Sequence, residues 1–186
     1  DLFIKNFQIK KAYIFEPQKK IYKFIKHKYK KRKKIFISNK AVSNENKIKK
    51  ILINKHDLTS SLTPFNEKNL YLKFKAFLFG VKSLVIDSYN VQTIQLKEYI
   101  SKKKVKKIDL LKIDTEGHEY EVLLGLKKKI KIIKIILIEF HNNKIYAKYD
   151  AKKIHKYLIK NNFNLEKKIK FPFTEWEDRI YISKEL

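Results

Sequence analysis

Four apolar runs in this chain stop at side chains able to do chemistry. Lys11-Ala12-Tyr13-Ile14-Phe15 stops at Glu16, ahead of Pro17, and Ile35-Phe36-Ile37 stops at Ser38-Asn39. The run from Ile108 to Ile113 stops at Asp114-Thr115-Glu116, and the run from Ile132 stops at Glu139-Phe140-His141. Such runs read as strands of a parallel sheet covered on both faces. Ligands of open α/β sheets bind beyond the carboxyl ends of the strands. A carboxylate at a strand tip is placed to accept the paired hydroxyls of a ribose, which is the use this position gives Glu16. Asp114, Glu116, His118 and His141 are the groups able to take a proton from a weakly nucleophilic hydroxyl. Each also has a plainer use. Glu16 can serve as a turn acid before Pro17, Asp114 and Glu116 can favour the start of a following helix, and both histidines can be structural. His27, His56 and His155 have no partner at metal-ligand spacing. Asp114 with Glu139 or His141 could hold Mg²⁺ through oxygen, but nothing in the pattern requires it, and no metal is expected.

The elements that must position these groups follow from periodicity. Residues 1–10 read as the tail of a helix or a loop. Ile21, Phe24, Ile25 and Tyr29 fall at helical spacing across 18–33, with lysines on the other face. Residues 39–44 read as loop, and Lys47 to Asn54 alternates as a strand does. A polar loop spans Leu58 to Asn66. Val81 to Leu96 is rich in β-branched residues and reads as an extended strand, followed by a short helix near Gln95–Ser101. Glu119 to Leu126 forms a helix with Val122, Leu123 and Leu126 facing inward. A helix over Ala151–Lys160 and strands near Phe163–Lys168 and Arg179–Ser183 close a single α/β domain spanning 1–186. The loops 55–80 and 142–150 are where acceptor specificity would lie.

Composition narrows the classes. The chain has 186 residues, 45 Lys and Arg against 19 Asp and Glu, and a formal charge of +26. A surface so basic attracts polyanions. Only Arg32 and Arg179 are arginines, however, and the lysines are spread over the whole length, as AT-rich coding drift would give. Arginine is the residue of bidentate phosphate and base contacts, so specific nucleic-acid reading is not expected. No uncharged apolar run nears the ~18 residues of a membrane span. The absence of cysteine excludes disulfides and thiolate-held metals and suits the cytoplasm. With only 3 glycines, no glycine-rich nucleotide loop can be built. An acid of the Glu16 kind normally follows such a loop by ~20 residues, which from Glu16 lands ahead of Asp1. With no methionine in the chain as well, the expectation is an N-terminally incomplete domain whose first strand and cofactor loop lie upstream.

Phe15-Glu16-Pro17, Ala41-Val42-Ser43, Ser60-Ser61-Leu62 and above all Leu111-Lys112-Ile113-Asp114-Thr115-Glu116-Gly117-His118-Glu119 resemble the FkbM-type methyltransferases. Ile138-Glu139-Phe140-His141 and Asp178-Arg179-Ile180-Tyr181-Ile182 are similar too. The resemblance runs through nearly the whole chain in the family's order, and departs from it in lacking the opening Asp-x-Gly-Ala-Asn-x-Gly loop. It implies a Rossmann-like class I methyltransferase sheet, mostly parallel with an antiparallel last strand. It also implies transfer of a methyl group from S-adenosylmethionine to a hydroxyl of a saccharide or related small acceptor. Glu16 would then hold the cofactor ribose, and the loop from Asn39 through Ala41 to Ser43 would lie near the adenine. Asp114 would sit at the reactive centre with His118 or His141 as base. A reading from another class is an inactive α/β module docking acidic glycan, lipid surface or nucleic acid through its Lys-rich helix. Oligomeric state stays open.

Overall fold

The computed structural model describes residues 2–54, 60–78, 80–81, 83–141, 145–170, 172, 174 and 176–185. Residues 58–59 of the expected polar loop, His56, and residues 142–144 of the second specificity loop lie outside these described residues.

The chain opens with α1 (Leu2–Asn6), β1 (Ala12–Phe15), α2 (Lys19–Lys28) and β2 (Ile35–Ser38). β1 and β2 pair in parallel, in register from Ala12 with Ile35 to Phe15 with Ser38. The lysines of α2 keep it on the surface, and none of its residues is buried. Next come β3 (Ala41–Val42), β4 (Ile48–Asn54), α3 (Leu70–Leu78) and β5 (Val85–Ile94). β5 is the centre of a three-stranded sheet, parallel to β3 and antiparallel to β4.

The second half holds the main core. α4 (Leu96–Lys102), β6 (Ile108–Ile113), α5 (Glu119–Leu124), a 3-10 turn at Lys127–Ile132, β7 (Ile133–His141), α6 (Ala151–Lys160), β8 (Phe163–Lys170) and β9 (Trp176–Ser183) follow in order. Their strands form a sheet in the order β6-β7-β9-β8. β6 runs parallel to β7, while β9 runs antiparallel to both β7 and β8, so β9 is the one reversed strand. Ile133, Ile136, Ile138 and Phe140 of β7 are fully buried with Leu123, Ile154, Leu158 and Tyr181, and these residues make one continuous apolar core. Asp150 starts α6 by accepting the N–H groups of Lys152 and Lys153.

The expected strands and helices of this half are present, and so is the reversed last strand. Four features differ from expectation. β4 also runs antiparallel to its neighbour β5, so reversal is not confined to the last strand and parallel pairing does not predominate. The strands form three sheets, with β1 paired only to β2 and β6 paired only to β7 among the described residues. The 39–44 stretch contains the short strand β3, whose Ala41 and Val42 pair with Thr93 and Ile94. The 70–78 stretch, expected as loop, is helical. Its Leu70, Tyr71, Phe74, Phe77 and Leu78 recur at helical spacing but face outward, so no core-directed stripe announced it.

Candidate active site

The turn from β6 into α5 is the tightest piece of backbone near the strand ends. Glu116 and Gly117 take left-handed conformations in succession, with φ of 53° and 89°. The Tyr146 ring lies where a side chain at 117 would go, so only glycine fits there. Glu119 folds back over the turn. Its Oε1 accepts the Thr115 N–H at 3.0 Å, the Thr115 hydroxyl at 3.1 Å and the Gly117 N–H at 3.1 Å. Burial pushes the Glu119 carboxyl up to about 7 even against those donors. The loop after residue 60 clamps the same turn: the Ser61 hydroxyl donates to the Glu116 carbonyl, and Thr63 Oγ1 donates to the Gly117 carbonyl at 3.0 Å.

His118 is buried in this clamp. Its Nε2 lies 3.0 Å from Ser43 Oγ and its Nδ1 lies 3.1 Å from Thr63 Oγ1. Thr63 Oγ1 also donates to the Gly117 carbonyl and Ser43 Oγ to Asn44 Oδ1, so each ring nitrogen faces a hydroxyl that is itself tied to the surrounding loops. Burial holds His118 down at about 4, so the ring is neutral. Both nitrogens are engaged, which makes this side chain a staple between the β3 end and the 60–63 loop.

The neighbouring strand ends bring four of the expected residues into one group. One side-chain ligand atom each from Glu116, Glu139 and His141 lies within 4.8 Å of the other two. Glu139 Oε2 and His141 Nε2 are 3.4 Å apart, and both are buried without a hydrogen-bond partner among the described residues. Burial lifts the Glu139 carboxyl to about 9, reinforced by the charges of Asp114, Glu116, Glu119 and Asp178. Burial lowers His141 to about 4, with Asp114 opposing. Asp114 pairs with Lys112 at 2.5 Å, and its side chain is 40% exposed, the most open acid of the group. The Tyr146 hydroxyl donates to Glu116 Oε2, and the Tyr149 hydroxyl takes the His141 N–H at 3.1 Å.

Glu16 stands at the end of β1 and is not part of this group. Its Oε1 accepts the Gln18 N–H at 2.7 Å, and burial raises its pKa. The Asn39 amide donates to the carbonyls of Glu16 at 2.9 Å and Pro17 at 3.0 Å, tying the β2 end to the β1 end. A half-buried, acceptor-only carboxylate fixed at a strand tip fits a ribose diol. Ala41 is buried with Ile51, Ile53 and Val91, so its place is in the packing beneath the loop.

Two shallow clefts lie elsewhere. One of about 280 Å³ is lined by Lys40, Asn46, Glu98 and Lys102, among others. The other, of about 370 Å³, is lined by Lys26, Lys30, Arg32, Lys33 and Lys103 with Tyr29, Phe36 and Tyr99. Sequence reasoning gave no role to Tyr146 or Thr63, and placed Ser43 near the adenine rather than against His118. Nothing local marks them, because their partners are 30, 55 and 75 residues away.

A sheet whose single reversed strand sits between two strands of the opposite sense, with acids at the ends of adjacent parallel strands, is the arrangement expected of a Rossmann-like class I methyltransferase. The family model of the FkbM methyltransferase domain matches residues 2–165, and the chain belongs to that family, whose members draw their methyl group from S-adenosylmethionine. Over 79 residues the chain is 30% identical to the hexuronic acid methyltransferase AglP of Haloferax volcanii, covering 42% of this chain and 31% of that protein. The chain thus spans under a third of that relative's length. A solved structure of TrmK from M. capricolum, bound to S-adenosylhomocysteine, aligns over 98% of this chain and 66% of its own, with 16% identity and a TM-score of 0.42. Among the described residues no helix is long and apolar enough to cross a membrane.

Proposed function

We propose that this protein is an S-adenosylmethionine-dependent O-methyltransferase acting in the cytoplasm on a hydroxyl of a saccharide or related small acceptor. The observation that carries the reading is the convergence of Asp114, Glu116, Glu139 and His141 at the carboxyl ends of two adjacent parallel strands, in a chain of the FkbM family. A glycan acceptor is supported by the likeness to a hexuronic acid methyltransferase.

When bound, S-adenosylmethionine supplies an electrophilic methyl group for in-line displacement by an acceptor oxygen. Glu16 would accept the two ribose hydroxyls, with Asn39 holding the backbone beneath it. The one-sided pairing of β1 and β6 supports a further strand carrying the family's glycine loop on those open edges. Asp114, the most exposed acid of the group, would face the acceptor and take its proton. His118 is a poor candidate for that task because both of its nitrogens are engaged. His141 is buried beside Glu139 Oε2, whereas Asp114 is open to an acceptor. Orienting the acceptor oxygen against the methyl carbon would supply much of the rate gain.

The test is Asp114→Asn, assayed with methyl-labelled cofactor on neutral and uronic-acid glycans. Turnover should fall ~100-fold or more while cofactor affinity is kept. Near-normal turnover removes Asp114 from the mechanism. The second reading, a polyanion-docking module, is favoured by the cleft lined by Lys26, Lys30, Arg32, Lys33 and Lys103. It calls for salt-sensitive binding to an acidic glycan and no methyl transfer.

A further inference from the structure

We infer that Glu116, Glu139 and His141 form a binding site for one divalent first-row metal ion, of the Mn²⁺ or Zn²⁺ type. The argument starts from two orphaned atoms. His141 has a side chain only 4% exposed, and its Nε2 has no hydrogen-bond partner among the described residues. That nitrogen points at Glu139 Oε2, 3.4 Å away, which is also buried and unpartnered. Buried polar atoms are ordinarily satisfied, so two facing each other call for a missing partner. A shared proton would serve those two atoms only. A cation serves them and the Glu116 carboxylate together, because all three residues offer a ligand atom within 4.8 Å.

The surroundings are those of a supported ligand set. The Tyr146 hydroxyl donates to Glu116 Oε2 and fixes the orientation of that carboxylate. The His141 ring is held edge-on by Tyr146 at 4.9 Å and Tyr149 at 5.3 Å between ring centres, and the Tyr149 hydroxyl anchors the His141 backbone. The charged groups around the cluster are Asp114, Glu119 and Asp178 on one side of the balance and Lys112 and Arg179 on the other. Lys112 is paired with Asp114 at 2.5 Å and Arg179 with Glu177 at 2.6 Å. One imidazole with two carboxylates suits Mn²⁺, Fe²⁺ or Zn²⁺ better than the all-oxygen preference of Ca²⁺. Three protein ligands leave coordination positions open, as in catalytic metal sites. Resting on the methyltransferase reading, the use of such an ion beside Asp114 is to grip and polarise the acceptor oxygen. The site itself stands without that reading.

The experiment is titration of the protein with Mn²⁺ alone, followed by electron paramagnetic resonance of the free ion. One ion should bind per chain. His141→Ala and the near-isosteric Glu139→Gln should each weaken binding by about 10-fold or more, and Tyr146→Phe by about 10-fold. Circular dichroism checks folding, and if His141→Ala fails to fold, Glu139→Gln decides. No binding at millimolar Mn²⁺, or binding unchanged by Glu139→Gln, overturns the inference. The readout needs no cofactor and no acceptor. Methyl transfer in the absence of Mn²⁺ binding would therefore remove the site and leave the methyltransferase reading standing.

Discussion

The two ends of the expected cofactor-to-acceptor line are built differently. At the acceptor end, β7 runs through the core with Ile133, Ile136, Ile138 and Phe140 fully buried, and it is paired on both edges, by β6 and β9. At the ribose end, β1 and β2 contain no buried residue, α2 contributes none, and β1 is paired on one edge. The acidic group of Asp114, Glu116, Glu139 and His141 is rooted in the rigid half, where burial perturbs Glu139 and His141 strongly. Glu16 sits in the half-open part. The difference teaches that one rim can divide its work. On the proposed reading, the groups that would be held in one geometry for chemistry hang from the core, and the carboxylate that would meet an exchangeable ligand hangs from a sheet with an open edge.

That comparison breaks first on stability. Phe140→Ala empties a site with no solvent exposure and should lower the unfolding free energy by about 3–5 kcal/mol. Ile14→Ala, on half-buried β1, should lower it by about 1 kcal/mol. Urea denaturation measures both. Equal losses would mean that β1 is as tightly packed as β7, and the division of the rim would go.

A second effect, of about 3 kcal/mol, sharpens the comparison through pH. The Glu119 carboxyl, buried under the β6–α5 turn, is raised from 4.5 to about 7 in the folded chain. A raised folded pKa means that the native state binds the extra proton. Stability from this group is thus full below about pH 4.5 and is lost as pH rises through 7. Glu119→Gln removes that loss. The stability of Glu119→Gln relative to the parent should therefore climb by about 3 kcal/mol between pH 4.5 and 7. His118 acts in the opposite sense. Its depressed folded pKa of about 4 favours the folded state as pH rises from 4 to 6.5, in parent and variant alike, so it cancels from the difference. A flat difference would mean that Glu119 is charged in the fold at neutral pH.

How much of this was legible in the residues follows the same division. The apolar runs ending at Glu16, Ser38, Asp114 and Glu139 read correctly as strands because each strings apolar, largely β-branched or aromatic residues together, although only β7 buries most of its run. The closing strands were legible in the same way, but the reversal of the last one was implied only by the family resemblance. Helix α3 was missed because Phe74, Phe77 and Leu78 face outward, leaving no inward stripe against a polar face. β3 was missed because two residues are too few to show a period. The roles of His118 and Tyr146 were illegible for another reason. They depend on Ser43, Thr63 and Glu116, brought together across tens of residues by packing that no local window contains.

The central claim is that Glu16 and the β6–β7 rim serve one methyl donor and its acceptor. Its most direct test is calorimetric titration of the protein with S-adenosylhomocysteine, beside Glu16→Ala. Saturable binding weakened at least tenfold by Glu16→Ala, about 1.4 kcal/mol, is the expected result. No heat at millimolar ligand, or equal affinity in the two proteins, would contradict the account.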